Sequence, residues 1–198
     1  MEKIKIAVTG GPSGGKTTLI DMLQKALPRK LALAPEAASL LYKGGFPRRG
    51  SNLCQKYAQR SIYLVQRELE NYLLEETQLP VLVCDRGSLD GLAYWPVGLG
   101  DFFESLGTSR AVELSRYAWV IHLDTADAIY FSTENPVRIE SQKEAMELNE
   151  KIKRAWDGHP QRIIIKNSED FIEKISKAKR AVEMILAGKT LNEIQATF

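Results

Sequence analysis

A glycine-rich stretch that joins an apolar run to an amphipathic pattern constrains the fold of this chain more than any other feature. The apolar run covers residues 4–8, and leucines spaced by four follow the stretch at Leu19, Leu23 and Leu27. An apolar run of this length is typical of a buried strand, and the leucine spacing is typical of one helix face. Between them, the spacing G-x-x-x-x-G-K-[ST] is met by Gly10, Gly15, Lys16 and Thr17. The order predicts a strand that turns sharply into a helix.

The same stretch contains the residue types that bind phosphate groups. Glycines let backbone N–H groups approach phosphate oxygens, and the positive end of the following helix points at the same anion. Lys16 supplies a cation for the β- and γ-phosphates, and the Thr17 hydroxyl is a ligand for Mg²⁺. We therefore expect a nucleoside triphosphate with Mg²⁺ to bind the loop formed by Gly10, Gly11, Pro12, Ser13, Gly14, Gly15, Lys16, Thr17 and Thr18.

Short apolar runs alternate with longer helical patterns along the rest of the chain. The runs are continuous, as in strands covered on both faces, and they span residues 4–8, 31–34, 81–84, 119–123 and 163–165. One helical pattern has an apolar stripe formed by Ala58, Ile62, Val65, Leu69 and Tyr72. This alternation predicts an α/β fold of three layers, α/β/α, with a five-stranded parallel sheet between the helices.

Composition excludes several classes of protein. The 198 residues suit a single domain over residues 1–198, and the net charge of +2 does not indicate a nucleic-acid partner. Cys54 and Cys84 have neither a CxxC nor a zinc spacing. No apolar run approaches the roughly 18 residues that cross a membrane. We expect a soluble cytoplasmic protein with no integral membrane segment and no nucleic-acid partner, whose oligomeric state the sequence leaves open.

Polar side chains follow four of the five apolar runs. Glu36 comes after the second run, Asp85 and Arg86 after the third, Asp124 after the fourth and Asn167 after the fifth. Ligands of parallel sheets bind beyond the carboxyl ends of the strands. We therefore expect these side chains to form one site with the glycine-rich loop.

Each of these strand-end residues has a preferred role and an alternative one. Asp85, with Thr17, is the preferred candidate for the Mg²⁺ site, and Asp124 is the alternative. Arg86 can bind phosphate oxygens in a forked geometry, or it can form an ion pair with a nearby carboxylate. Glu36 is the candidate general base, and the alternative is an acid at the N-terminal region of the helix that follows it.

Five stretches carry a resemblance to a known family. In chain order they are "GGPSGGKTT", "PEAA", "DRGSLDGLAYW", "NPVRIES" and "WDGHP". Over residues 3–185 the chain resembles the AAA_28 family of P-loop proteins, and more widely it resembles nucleoside and nucleotide kinases. The resemblance implies a P-loop NTPase fold of the nucleoside-kinase type, with a lid segment at residues 125–141.

The resemblance also implies roles for individual residues. Glu36 resembles the base or substrate-binding acid of nucleoside kinases, Asp85 and Arg86 resemble their acid-arginine pair, and Arg138 resembles a lid arginine. Nucleotide kinases often present several lid arginines at helical spacing, whereas Arg138 is the only one in this segment. The residues with implied catalytic roles are Lys16, Glu36, Asp85, Arg86 and Arg138.

Four further polar residues have two interpretations each. Asp90 and Tyr94 either line an acceptor pocket or belong to the core or a helix cap. Gln59 and Gln66 lie seven residues apart on one helix face, away from its apolar stripe. A solvated face is the favoured interpretation of these two residues, and recognition of a base is the alternative.

Four more residues, all in the second half of the chain, need an interpretation. Asn167 either contacts the edge of the nucleotide base or caps the last helix together with Ser168. His122 and Trp156 are predicted to be core residues. His159 is not predicted to bind metal, because it has no Cys or His partner at metal-ligand spacing.

Two functions fit these residues. A small-molecule kinase would transfer the γ-phosphoryl group of Mg·ATP to an unidentified hydroxyl acceptor, such as a nucleoside. A nucleotide-dependent switch or NTPase would instead act on a protein or lipid partner. Glu36 and the pocket residues favour the kinase, because a switch needs no acceptor pocket. The chain lacks the Asn/Thr-Lys-x-Asp motif for guanine, which favours ATP, with GTP as the alternative nucleotide.

Overall fold

The computed structural model describes residues 3–48, 50–125, 142–167 and 170–198. Five parallel strands form one sheet in the order β2-β3-β1-β4-β5. The strands are β1 (Ile4–Thr9), β2 (Leu31–Ala34), β3 (Val81–Asp85), β4 (Trp119–Leu123) and β5 (Arg162–Ile165). The five-stranded parallel sheet predicted from the apolar runs is therefore confirmed.

Helices cover both faces of this sheet. They are α1 (Lys16–Ala26), α2 (Ala37–Lys43), α3 (Asn52–Glu76), α4 (Phe102–Leu106), α5 (Arg110–Ser115), α6 (Gln142–Ala155), α7 (Phe171–Leu186) and α8 (Leu191–Gln195). A 3₁₀ helix, Ser88–Tyr94, follows β3. In the described part of the chain, none of these helices is both long enough and apolar enough to cross a membrane.

Alternate residues of the strands pack into two separate apolar cores. On one face, Ile6 and Val8 of β1 pack with Leu19 of α1 and Ile175 of α7. On the other face, Ala7 belongs to a core with Leu82, Leu89, Ile152 and Trp156. Because the central strands β3, β1 and β4 are buried on both faces, their sequences are mostly apolar, which is why these runs could be located from the sequence.

The helix predicted from the apolar stripe is confirmed as α3, but the stripe is not its most buried face. Of its five members, Ala58 is buried, whereas Tyr72 is exposed and the other three are half-buried. The helix instead buries a largely polar face, formed by Ala58, Gln59, Tyr63, Gln66 and Glu70. The prediction assumed that polar residues face water, but here they bond to charged and hydroxyl groups from distant parts of the chain.

Candidate active site

A cleft of about 1180 Å³ opens beyond the carboxyl ends of the strands. Residues 12–18 of the glycine-rich loop form one part of its surface. Residues of α2, α3, α6 and the 3₁₀ helix form most of the rest. The cleft therefore brings the loop together with Glu36, Asp85 and Arg86, at the position where ligands of parallel sheets bind.

Glycine is required at two positions of the loop. Gly10 has φ +126°, and a Cβ atom there would lie 2.0 Å from the backbone oxygen of Leu123. Gly15 has φ +95° and occupies the N-cap position of α1, where no side chain caps the helix. The first N–H groups of α1 therefore have no side-chain acceptor at this cap and can bind an anion.

The Lys16 side chain folds back onto the loop. Its Nζ atom donates to the backbone oxygens of Gly10 and Gly11, at 2.8 Å and 2.7 Å. Burial and the nearby Arg86 guanidinium lower the pKa of Lys16 to about 7, although Asp85 and other carboxylates oppose the shift. The ammonium group thus lies in the loop that a phosphate chain would occupy, and Thr17 beside it is exposed.

This lowered pKa predicts that triphosphate binding depends on pH. Above pH 7 the ligand-free Lys16 is mostly neutral, and the phosphates favour its charged form, so binding takes up a proton. We expect an uptake of about one proton at about pH 8, and a small uptake at about pH 6. Calorimetric titration with a non-hydrolysable ATP analogue, in two buffers of different ionisation enthalpy, measures this directly. An uptake that does not change between these pH values contradicts the assignment.

Glu36 and Arg86 form an ion pair at the edge of the cleft. The Arg86 Nε atom donates to one carboxylate oxygen of Glu36, and the Ser39 hydroxyl donates to the other. Burial raises the pKa of Glu36, but Arg86 and Ser39 outweigh it and hold the pKa at about 2. Glu36 is the N-cap residue of α2, yet its side chain makes no cap hydrogen bond. Its carboxylate is therefore directed to Arg86 and not to the helix.

Asp90 connects Arg86 to the sheet. One Asp90 carboxylate oxygen accepts hydrogen bonds from Thr9 Oγ1 at 2.6 Å and from Trp156 Nε1 at 2.7 Å. The other lies 3.4 Å from an Arg86 guanidinium nitrogen. Asp90 and Tyr94 also line the cleft. Asp90 is therefore both a residue of the cleft and a buried residue of the protein interior. Trp156 is fully buried, as predicted for a core residue.

The two candidate Mg²⁺ carboxylates have different surroundings. Asp85 lines the cleft, and no described residue donates a hydrogen bond to its carboxylate. Burial and the Glu36 charge raise its pKa. Asp124 instead accepts from Lys153 Nζ at 2.7 Å and from Asn149 Nδ2 at 2.9 Å. Burial opposes the shift, but these contacts and His122 hold the pKa of Asp124 well below its usual range.

Substitution of the two carboxylates should separate their roles. We expect Asp85→Asn to raise the Mg²⁺ concentration needed for turnover and to reduce turnover more than nucleotide binding, because Mg²⁺ prefers carboxylate oxygens. Asp124→Asn should change the Mg²⁺ requirement less, because its carboxylate already pairs with Lys153. Mg²⁺ titrations of ATP turnover for both variants compare them. The reverse order would transfer the role to Asp124.

Gln59 and Gln66 do not lie on a solvated face. Gln59 is 6% exposed and Gln66 is 3% exposed, and both line the cleft. The Gln66 amide donates to Glu70 and to the backbone oxygen of Arg86. Among the described residues, none forms a hydrogen bond with the Gln59 amide. The favoured interpretation of a solvated face was therefore wrong, because the helix pattern could not show that its polar face is buried.

The two histidines are buried inside the protein. His122 Nε2 lies 3.0 Å from Asn149 Oδ1, while His122 Nδ1 has no hydrogen-bond partner among the described residues. The core position predicted for His122 is thus confirmed, but only one of its nitrogens is paired. His159 Nε2 donates to the backbone oxygen of Tyr117, and His159 Nδ1 accepts from the N–H of Gln161.

Asn167 is not among the described residues that line the cleft. Asn167 donates to the backbone oxygen of Thr125 and accepts from Lys174 Nζ at 2.8 Å. It does not occupy the N-cap position of α7, the helix that it was predicted to cap, because the side chain of Asp170 accepts from the N–H of Ile172 at that position. Arg138 and almost all of the predicted lid at residues 125–141 lie outside the described residues.

Asn149, which was not predicted from the sequence, contacts the backbone of the phosphate loop. Its side-chain oxygen accepts a hydrogen bond from the N–H of Gly11 at 3.0 Å. Asn149 lies on the buried face of α6, with Ala145 and Ile152 also on that face. A polar residue between apolar positions of a helix face was the available signal, because a buried amide needs hydrogen-bond partners.

Two solved structures of kinases are similar in fold to this chain. Thymidylate kinase from Ehrlichia chaffeensis is similar in structure at 16% identity and a TM-score of 0.61, covering 94% of this chain and 100% of that one. Deoxyadenosine kinase from M. mycoides, with bound dATP, is similar at 15% identity and a TM-score of 0.64, covering 91% and 99%. A comparison with curated proteins found no match.

These two likenesses show that the fold is the P-loop fold of nucleoside kinases. The AAA_28 family, described as an AAA domain, matches residues 5–174, which is most of the chain and includes the glycine-rich loop and the residues after β2, β3 and β4. The resemblance seen in the sequence is therefore confirmed, and the chain belongs to the AAA_28 family of AAA domains.

Proposed function

We propose that the protein is a small-molecule kinase that transfers the γ-phosphoryl group of Mg·ATP to a hydroxyl group of a nucleoside-like acceptor. The observation that carries this proposal is the shared cleft, in which the phosphate loop and the Glu36–Arg86 pair lie together. A nucleotide-binding loop alone would serve a switch equally well. The Glu36–Arg86 pair and the Gln59 amide beside the loop favour a kinase, because they form a polar surface to which a second small molecule can bind.

The phosphate loop provides the ATP side of this proposal. Backbone N–H groups of α1 and the Lys16 ammonium would bind the β- and γ-phosphates. The donor set also fits Mg²⁺, since Thr17 offers an exposed hydroxyl and Asp85 a carboxylate that no described residue bonds. When bound there, Mg²⁺ would neutralise the charge that develops on the phosphate oxygens. ATP is the proposed nucleotide and GTP the alternative, and a cytoplasmic location would give access to either.

Glu36 and Arg86 provide the transfer step. The acceptor oxygen forms a bond to the γ-phosphorus while the bond from that phosphorus to the β,γ-bridging oxygen breaks, and ADP leaves. Glu36 accepts the hydroxyl proton, and Arg86 stabilises the charge on the γ-phosphoryl group. A pKa of about 2 makes Glu36 a weak base. A weak base suits a loose transition state, because the acceptor hydroxyl must be oriented early in the reaction and loses its proton late.

Gln59 indicates the class of acceptor. Gln59 is 6% exposed and lines the cleft, and its amide has no hydrogen-bond partner among the described residues, so a bound molecule would satisfy both its donor and its acceptor. The edge of a nucleobase offers that combination. Tyr63 and Tyr94 also line the cleft, and the half-buried Tyr94 offers aromatic surface to a planar ring.

A thermal-shift screen tests the proposed acceptor class. Nucleosides, nucleotides and vitamin-like alcohols are each added with Mg²⁺ and a non-hydrolysable ATP analogue. We expect at least one nucleoside to raise the melting temperature above that of the analogue alone, because a ligand that binds only the folded state stabilises it. Gln59→Leu should remove that increment and leave the shift from the analogue unchanged. No increment with any compound would contradict the proposal.

A further inference from the structure

A buried carboxylate lies behind the candidate active site and does not reach the cleft. Glu70 of α3 is 0% exposed, and its two oxygens accept four hydrogen bonds. One oxygen accepts from Lys5 Nζ at 2.7 Å and from an Arg116 guanidinium nitrogen at 2.9 Å. The other accepts from Tyr117 Oη at 2.6 Å and from Gln66 Nε2 at 2.9 Å. Two cations balance the charge, so the carboxylate is held in one position.

Two of these partners also bond to the backbone beside Arg86. Gln66 Nε2 donates to the backbone oxygen of Arg86 at 3.4 Å. Tyr117 Oη accepts from the backbone N–H of Ser88 at 2.9 Å. Burial and the neighbouring Glu70 raise the pKa of Tyr117 well above its usual range, so the hydroxyl keeps its proton for Glu70. The carboxylate is thereby connected to both sides of Gly87.

The backbone at this point needs such support. Arg86 has φ +75°, a left-handed conformation that is unfavourable for a residue with a side chain. Gly87 packs against Trp156, where a Cβ atom would lie 2.5 Å from the indole ring. If the backbone relaxed to an ordinary conformation, the Arg86 side chain would leave Glu36 and Asp90.

We infer that Glu70, Gln66 and Tyr117, here called the Glu70 cluster, are positioning residues that hold the Arg86 backbone in its left-handed conformation and so aim the guanidinium at the phosphoryl group. The cluster acts through Arg86. Neither Glu70 nor Tyr117 lines the cleft, so neither residue would contact the nucleotide or the acceptor. This inference rests on the proposed function for the role of Arg86, but the hydrogen bonds that define the cluster do not depend on it.

Tyr117→Phe tests the inference, because it removes one link and keeps the ring that packs on Trp156. We expect kcat for ADP formation to fall roughly 10-fold, with KM for ATP within about 2-fold, since a misplaced arginine fails mainly in the transition state. In an Arg86→Ala background, Tyr117→Phe should have no further effect on kcat. An equal loss in both backgrounds would overturn the inference.

Thr108→Val is the matched control for loss of a hydroxyl bound to a buried carboxylate. Thr108 Oγ1 donates to Glu113 at 2.6 Å, and none of the hydrogen bonds among the described residues joins this hydroxyl to residues 86–88. We expect it to lower the melting temperature about as much as Tyr117→Phe, with kcat unchanged. If Thr108→Val lowers kcat equally, the effect of Tyr117 is one of stability and the inference fails.

Two further measurements separate this inference from the proposed function. Hydrogen exchange of the peptide covering residues 85–90 should become faster in Tyr117→Phe and not in Thr108→Val, whether or not the protein phosphorylates any acceptor. Unchanged exchange in both variants would overturn the cluster. The opposite outcome is also informative. If the exchange and ADP-formation results are as expected but the wild-type protein phosphorylates no acceptor, the proposed kinase function is wrong and the inference about the Glu70 cluster is retained.

Discussion

Glu36→Gln is expected to lower acceptor phosphorylation by roughly 10²–10⁴-fold, the usual contribution of a positioned general base. Glutamine keeps the shape of the side chain but cannot accept the hydroxyl proton. It also removes the charge that Arg86 pairs with. Affinity for Mg·ATP should stay within a few-fold, because the carboxylate lies beside the phosphate loop and not in it. Phosphoryl transfer and ATP binding are measured separately, by product analysis and by calorimetry.

Glu68→Gln is a suitable control for this substitution. Glu68 is exposed on α3, two residues from Gln66, and is remote from the ion pair. Its loss should leave transfer unchanged. If Glu36→Gln transfers phosphate at the wild-type rate, Glu36 neither orients nor deprotonates the acceptor, and the role assigned to it is wrong.

Lys16→Ala should abolish measurable binding of Mg·ATP with little change in the melting temperature of the ligand-free protein. The β- and γ-phosphates lose the one side-chain cation of the loop. The ligand-free protein loses two hydrogen bonds to Gly10 and Gly11, but it no longer buries an ammonium group whose pKa is lowered to about 7 by that burial. These two effects on stability have opposite signs.

Lys25→Ala is the matched control on the same helix. Lys25 is exposed in the last turn of α1 and is outside the cleft lining. We expect it to bind Mg·ATP as the wild-type protein does. Unaltered ATP affinity of Lys16→Ala in the same calorimetric experiment would contradict the assignment of the phosphate loop.

The sheet and its phosphate loop could be predicted from the sequence because each depends on local pattern. A strand inside a parallel sheet is mostly apolar, and β2 and β4 were located to the residue from their apolar runs. The loop is defined by glycines whose spacing is visible in the sequence. Glu36, Asp85 and Arg86 could be placed at the cleft because parallel strands end at one edge of the sheet, whereas Asp124 and Asn167, predicted for the same site, are not among the described residues that line it.

The buried polar face of α3 could not be predicted in this way. Glu70 is 65 residues from Lys5, 46 from Arg116 and 47 from Tyr117, and a helix pattern contains none of these partners. The pairing of Glu36 with Arg86, 50 residues apart, has the same origin. The sequence offered an ion pair only as an alternative for Arg86, because the choice depends on how the ends of β2 and β3 meet.

The most direct test of the kinase is transfer of the γ-phosphoryl group itself. Wild-type protein, Mg²⁺ and ATP labelled at the γ-phosphate are incubated with each nucleoside that raises the melting temperature, and the products are separated and identified. If the protein is a kinase, we expect a labelled nucleoside monophosphate, formed together with an equal amount of ADP. This product should be absent with Lys16→Ala. ATP hydrolysis at one rate with every nucleoside, with no labelled product, would contradict the account and favour a nucleotide-dependent switch.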